Sequence, residues 1–198
     1  MKRTPMIIVI LLVSSIVCSA CGKQGVASNN LQSQSAQSSN SSSGDLHFKT
    51  PDGWMSEKPS SATRVAQYKL PKAEGDSEDA SLVVYYFGAT QGGATQANID
   101  RWTSQIQQPD GSASKDKAKT ETMTVNGLKM TTVDVTGTYT AEMAPGAGTM
   151  HNDANYRLRA AVIETPKGNY FLKLVGPAKT VDRWDQTFTD YLKSVEFK

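Results

Sequence analysis

Cysteine is what this chain has least of where it would matter. Its two cysteines, Cys18 and Cys21, both stand among the first 21 of 198 residues, so nothing downstream can form a disulfide or a thiolate metal site. Histidine is nearly as scarce. Only His47 and His151 are available as a base for a serine nucleophile, and neither stands in a recognisable catalytic context. Gly-x-Ser-x-Gly, a Walker loop and His-x-x-x-His spacing are all missing, which removes the commonest hydrolase, nucleotidase and metalloprotease signatures. Charge is missing from the N-terminal part, where Lys2, Arg3 and Lys23 are the charged residues before Asp45. From Asp45 onward 18 Lys+Arg face 19 Asp+Glu, so that part carries about −1 and has no electrostatic footprint for nucleic acid. The sequence pI of 8.4 thus partly reflects the N-terminal segment. A chain of this length holds one ordinary domain with appendages and excludes a large multidomain enzyme.

A membrane-spanning run is missing too. The longest apolar stretch, Met6 to Val17, has 12 residues, short of the ~20 that a spanning helix needs. Preceded by Met1-Lys2-Arg3 and followed by Ser19-Ala20-Cys21, it reads as a secretory signal peptide over residues 1–20. Cys18-Ser19-Ala20-Cys21 resembles the bacterial lipobox, with Cys18 standing where a branched aliphatic residue is usual. That resemblance implies cleavage before Cys21 and acylation of its thiol, hence a persistent lipid anchor, since two chains suffice for one. Ordinary cleavage, leaving Cys21 as a plain thiol, is the competing reading. Gly22 to Gly44 holds 15 Ser, Asn or Gln among 23 residues. Such a tract cannot bury enough apolar surface to order itself and reads as a tether spanning roughly 25 Å. The expected layout is therefore a lipidated Cys21 plus tether over 21–44 and a single domain over 45–198. That is the layout of an envelope lipoprotein facing the periplasm or the exterior, with Gly22 pointing to the outer membrane under enterobacteria-like sorting.

The 45–198 region reads as α+β, with a central, largely antiparallel sheet of about 6–8 strands covered by two main helices. It is long enough to bury about 70% of the unfolded chain's surface. Leu46 to Lys49 is an expected short strand before the turn Pro51-Asp52-Gly53. Arg64 to Leu70 alternates, with Ala66, Tyr68 and Leu70 on one face. Asn126-Gly127, between Met123–Val125 and Leu128–Val135, predicts a hairpin with a type I′ turn. Leu82–Phe87, Ala160–Ile163 and Tyr170–Val175 are further strands, the first and last apolar on both faces, so both sheet faces should be covered. Helices are expected through Ile99, Trp102 and Ile106, ended by Pro109, and from an N-cap Thr180 through Val181, Trp184, Phe188, Tyr191 and Val195. Ile99-Asp-Arg-Trp102 and Val181-Asp-Arg-Trp184 echo one another. Either an eroded duplication or two converging amphipathic helices accounts for them, with each Arg beside a Trp to pair with a carboxylate or cover sheet residues.

Three stretches carry a family resemblance. They are Phe48 to Trp54 leading to Pro59-Ser60 and Arg64-x-Ala66-x-Tyr68-x-Leu70; Gly92-Gly93 with Asn98-Ile-Asp-Arg-Trp102; and Phe171-x-Lys-Leu-x-Gly176-Pro177 with the helix running to Ser194. Together they resemble the PsbP-like fold of a photosystem II extrinsic subunit. They are also similar to small exported bacterial lipoproteins of unassigned function that share the Gly53-Trp54 opening and the Asn98-x-x-Arg101-Trp102 segment. The resemblance covers nearly all of 45–198. It implies an α/β/α sandwich and binding or assembly roles rather than catalysis, and it brings no catalytic residues.

Function-bearing candidates are few. The loop expected over Ala141 to Asn155 carries Glu142, Met143, Met150, His151 and Asp153 and is long enough for a working loop. Met143, Met150 and His151 suit copper, and Glu142, His151 and Asp153 suit zinc. A solvated lid or partner-contact loop is the plainer reading. Gly92-Gly93 before a helix suits an anion or simply a tight turn. Asp76-Ser77-Glu78-Asp79 suits a weak calcium contact or a solvated turn. His47 reads as an ordinary strand histidine. The sequence therefore leads to a non-enzymatic, lipid-anchored module with no cofactor that binds an envelope protein or component. A metal or small-ligand carrier using the Met143–Asp153 loop and a hydrolase with an unrecognised site are the alternatives.

Overall fold

The computed structural model describes residues 46–143 and 146–198. The expected leader (1–20), Cys21 and the tether to residue 44 lie outside the described residues. Ten strands and four helices follow in chain order. They are β1 (Leu46–His47), β2 (Met55–Glu57), β3 (Arg64–Leu70), β4 (Ala80–Tyr86), α1 (Thr95–Thr103), β5 (Ile106–Gln107), α2 (Ser114–Lys117), β6 (Lys119–Val125), β7 (Leu128–Tyr139), β8 (Asp153–Thr165), β9 (Gly168–Pro177), α3 (Ala178–Arg183), α4 (Asp185–Lys193) and β10 (Glu196–Phe197). Eight strands form one antiparallel sheet in the order β2-β3-β4-β9-β8-β7-β5, with β6 also on β7, and β1 pairs with β10. This is the α+β arrangement that the strand patterns require. The Asn126-Gly127 turn closes β6 onto β7 with Val125 opposite Leu128, and Asn126 takes the positive φ of 48° that a type I′ turn demands.

Central strands that are apolar on both faces need two covers, and they have them. On one face α3 and α4 bring Val181, Phe188, Tyr191 and Leu192 against Leu82, Val84, Ile163, Tyr170 and Leu172. On the other, α1 brings Ile99 and Trp102 against Val133, Leu158, Val162 and Phe171. Period-2 alternation along β9 sends Tyr170, Leu172 and Leu174 to the first face and Phe171 and Val175 to the second.

Several sequence expectations are corrected here. α1 stops at Thr103 rather than running to Pro109. The Thr103 hydroxyl donates to the Ile99 carbonyl (3.0 Å) and the Ser104 hydroxyl to that of Arg101 (2.8 Å), offering the last carbonyls a local alternative to the helix ladder. Ile106 is consequently a strand residue, opposite Tyr139. That approach requires Gly137, since a Cβ there would stand 2.5 Å from the Gln107 carbonyl.

The expected C-terminal helix is two helices broken at Trp184. Trp184 donates its indole N–H to the Pro71 carbonyl (2.9 Å). The flanking Asp182 and Asp185 are held by Arg157 and Arg159 of β8, which share Asp134 of β7 between them. These sheet-to-helix bonds override a continuous 3.6-residue pattern. Thr180 is not the N-cap but the third residue of α3. Its N–H (2.8 Å) and hydroxyl (2.6 Å) both donate to Asp76, which thus caps the helix from the β3–β4 loop. Asp76→Ala should lower stability by about 1 kcal/mol, read as a reduced urea midpoint at unchanged m-value.

The rest of the acidic turn is engaged too. Asp79 accepts the Lys72 N–H (2.9 Å), and Glu78 accepts the Tyr156 hydroxyl. In the echoed tetrapeptides neither Arg pairs with a carboxylate among the described residues. Arg101 donates to Asn98 Oδ1, and Arg183 donates to the Lys72 carbonyl while lying over Trp184.

Candidate functional site

The α1 face of the sheet is incompletely covered. Beyond α1 a groove of about 540 Å³ remains open over β3, β4, β9, β8 and the end of β7. Val83 and Val175 form an apolar floor, the Tyr85, Tyr139 and Tyr156 rings stand in it, and Arg64, Glu78 and Asp79 lie at its margin. The remaining wall comes from the β7–β8 hairpin through Ala141, Glu142, Met143 and His151.

That hairpin is the loop marked out in the sequence, but shorter and more ordered than expected. β8 starts at Asp153, so residues 140–152 join β7 to β8, and a bridge between Glu142 and Met150 pinches that connection. His151 N–H donates to the Ala141 carbonyl (2.8 Å), and His151 Nδ1 lies 2.6 Å from Asp153 Oδ2. The His151 ring tilts against Tyr139 at 5.0 Å between centroids. Glu142 accepts the Gly146 N–H (3.0 Å). Met143 and Met150 are 59% and 52% exposed. The structure therefore brings Glu142, Met143 and His151 onto the groove wall and pairs Asp153 with His151. Among the described residues no group of three or more His, Cys, Asp or Glu side chains is placed to hold a metal ion.

At the centre of the floor stands a residue that the sequence reading did not single out as functional. Lys173 sits mid-way along β9, opposite Val83 of β4 and Ala160 of β8, on the same face as Phe171 and Val175. Its amine donates to Gln105 Oε1 (2.6 Å) and the Tyr139 hydroxyl (2.9 Å) and lies 4.9 Å from the Tyr139 ring centroid. Burial pulls its pKa from 10.5 down to about 8, with the nearby Arg101 guanidinium adding to the effect. Burial also pushes the Tyr139 phenol up to about 12, helped by Tyr85 and Asp153. Tyr156 is raised above the usual phenol range by burial and by its bond to Glu78. The signal for Lys173 was present in Phe171-Leu-Lys-Leu-Val175, a cation at an inward position of a strand that is otherwise apolar on both faces.

Other hollows are less suited to a ligand. In a hollow of about 720 Å³ beside α1 and α2, several polar groups of the lining are already bonded. Gln108 donates to Ser114 Oγ and the Thr136 carbonyl, and Ser114 donates to the Ile106 carbonyl. At Gly92-Gly93, Asn98 Nδ2 donates to the Gly92 carbonyl, and a Cβ at Gly92 would strike the Phe171 ring at 2.6 Å, so these glycines serve a tight turn. His47 is exposed in β1.

Among the described residues no helix is long and apolar enough to cross a membrane. No family model and no curated protein matches the chain. Among solved structures, it is similar to a Pseudomonas aeruginosa protein of unknown function at 13% identity, over 78% of this chain and 99% of that one, with a TM-score of 0.44. It is similar to the cyanobacterial PsbP protein CyanoP of Synechocystis at 12% identity, over 78% of this chain and 87% of that one, with a TM-score of 0.47. LpqN, involved in cell envelope biogenesis of Mycobacterium tuberculosis, is similar at 14% identity over 75% of this chain and 78% of that one, with a TM-score of 0.41.

Proposed function

We propose that this chain is an exported, non-enzymatic binding module, held to a bacterial envelope membrane by lipid on Cys21, whose working surface is the groove beneath the 140–152 hairpin. The observation that carries the binding role is the groove itself. It is a built concavity with an apolar floor, three tyrosine rings and one half-buried amine, within the size range of ligand sites. Among the described residues no serine or threonine hydroxyl is bonded to His151, and no cysteine lies in this region, which fits a binder better than a hydrolase. The anchor is supported by the basic start, the apolar run and the Ser19-Ala20-Cys21 junction.

Two variants of the full chain test both halves in its native host. Cys21→Ser should move from the membrane fraction to the soluble fraction and lose palmitate labelling. Ser81→Trp, which fills the groove from β4, should stay on the membrane but lose the component recovered with the parent chain from solubilised membranes. Repeated recovery of the parent alone, or an intact Met1 terminus in soluble material, would overturn the reading.

A further inference from the structure

Lys173 carries a charge that no carboxylate among the described residues neutralises. An ammonium has three N–H donors, and here two of them meet neutral acceptors, Gln105 Oε1 and the Tyr139 hydroxyl. Among the described residues no carboxylate lies within 4 Å of its nitrogen. The acidic side chains of the groove are committed elsewhere. Glu78 takes the Tyr156 hydroxyl, Asp79 the Lys72 N–H, and Glu142 the Gly146 N–H. A half-buried cation without a counter-charge is costly, and a bound anion would offset that cost.

We propose that the groove receives a small organic monoanion, its carboxylate held by the Lys173 ammonium and the Tyr139 hydroxyl and its flat apolar body laid on the tyrosine rings. This rests on the reading of the groove as the binding surface. Tyr139 accepts its bond from Lys173, so its own O–H is left to donate. The third Lys173 N–H and this O–H then form an adjacent pair of donors, a geometry that suits two carboxylate oxygens. Val83, Val175 and Ala141 with Tyr85 and Tyr156 offer the body an apolar and aromatic bed, and exposed Met143 is a flexible cover.

A dianion is disfavoured, because Glu78, Asp79 and Glu142 line the rim. The rim's Arg64 is already bonded to Gln67 Oε1 (2.8 Å) and lies over Tyr85. Three carboxylates on the rim repel a second negative charge, which favours a monoanion.

Three probes of similar size and different charge, sodium benzoate, benzamide and benzylammonium chloride, separate the possibilities. Each is titrated into the 15N-labelled full chain and followed by amide shifts in β7, β9 and the 140–152 hairpin. Benzoate should bind at least tenfold more tightly than benzamide, and benzylammonium should not bind. In Lys173→Met, which keeps the fold by thermal melting, benzoate should fall to the benzamide level. Equal binding of benzoate and benzamide, preference for benzylammonium, or unchanged benzoate affinity in Lys173→Met would each overturn the anion assignment while leaving a groove that binds. If no probe binds but Lys173→Met abolishes recovery of the membrane component, the groove is a protein-contact surface and the small anion is wrong. If no probe binds and recovery is unaffected by Lys173→Met, the groove reading falls with it.

Discussion

Tyr191→Ala lowers the stability of the folded region by about 4 kcal/mol, seen as a fall of roughly 10 °C or more in Tm. Tyr191 of α4 is 1% exposed and is the point where the Phe48–Trp54 stretch, the sheet and the C-terminal helices meet. Its ring stacks on Phe48 at 4.5 Å and 14°, tilts against Trp54 at 5.0 Å and meets Tyr68 of β3 edge-on at 6.1 Å. Truncation removes the apolar burial, leaves a ring-sized void and ends three aromatic contacts at once. Collapse cannot fill the void, because Phe188 and Leu192 beside it are themselves packed in the same cluster. Tyr191→Phe keeps every ring contact and should cost only about 1 kcal/mol. Alanine and phenylalanine costs that proved equal would mean that the hydroxyl, not the packing, holds this corner together.

This same corner shows how far the sequence reaches. The stripe Val181, Phe188, Tyr191, Leu192, Val195 named the buried face of the C-terminal helices, because helical periodicity reports which side turns inward whether or not the helix is continuous. It did not show the break at Trp184. That break is caused by Arg157 and Arg159 reaching from a strand more than 20 residues away, and no local pattern encodes such a bond. Strand periodicity likewise fixed β3 over Arg64–Leu70, and Asn126-Gly127 fixed the β6–β7 register. The edge strand β2 was not legible, since three residues carry too little alternation and its partners are set by β3.

For the site, the 140–152 hairpin was visible as a long polar interruption rich in Met and His. The groove that it walls was not, because it is made by what α1 leaves uncovered. In sequence Lys173 is one more residue of a strand, although its apolar neighbours at two-residue spacing place it inward.

That inward lysine leads to the second expectation: Lys173→Met makes the protein more stable at pH 7, by about 1–3.5 kcal/mol. Methionine matches the lysine stem in length and carries no charge to desolvate. The upper figure follows from the amine's pKa, lowered by burial and then by Arg101 from 10.5 to about 8, at ~1.4 kcal/mol for each pH unit; the lower figure allows for water reaching the open groove. The pH dependence has a definite sign. Below pH 8 the amine is protonated folded or unfolded, so the penalty is fully present. Between pH 8 and 10.5 the unfolded chain holds a proton that the folded chain has released, so the parent gains stability as pH rises. The advantage of Lys173→Met should therefore shrink across that window.

The ionisable groups around Lys173 are Arg101 from α1, Arg64 from β3, Glu78 and Asp79 from the β3–β4 loop, Tyr85 from β4, Tyr139 from β7, Tyr156 from β8, and Glu142 and His151 from the hairpin. Tyr139 and Tyr156 are raised, so their contributions begin to fall only above the ordinary phenol value of 10.0, leaving pH 8–10 as the interval in which to see Lys173. Urea midpoints of parent and variant at pH 7, 8, 9 and 10 measure it. A variant less stable than the parent at pH 7, with a gap that does not change with pH, would mean that the amine is already compensated. Benzoate gives an independent check on the same amine. It should stabilise the parent at pH 7, by supplying the missing counter-charge, and leave Lys173→Met unmoved.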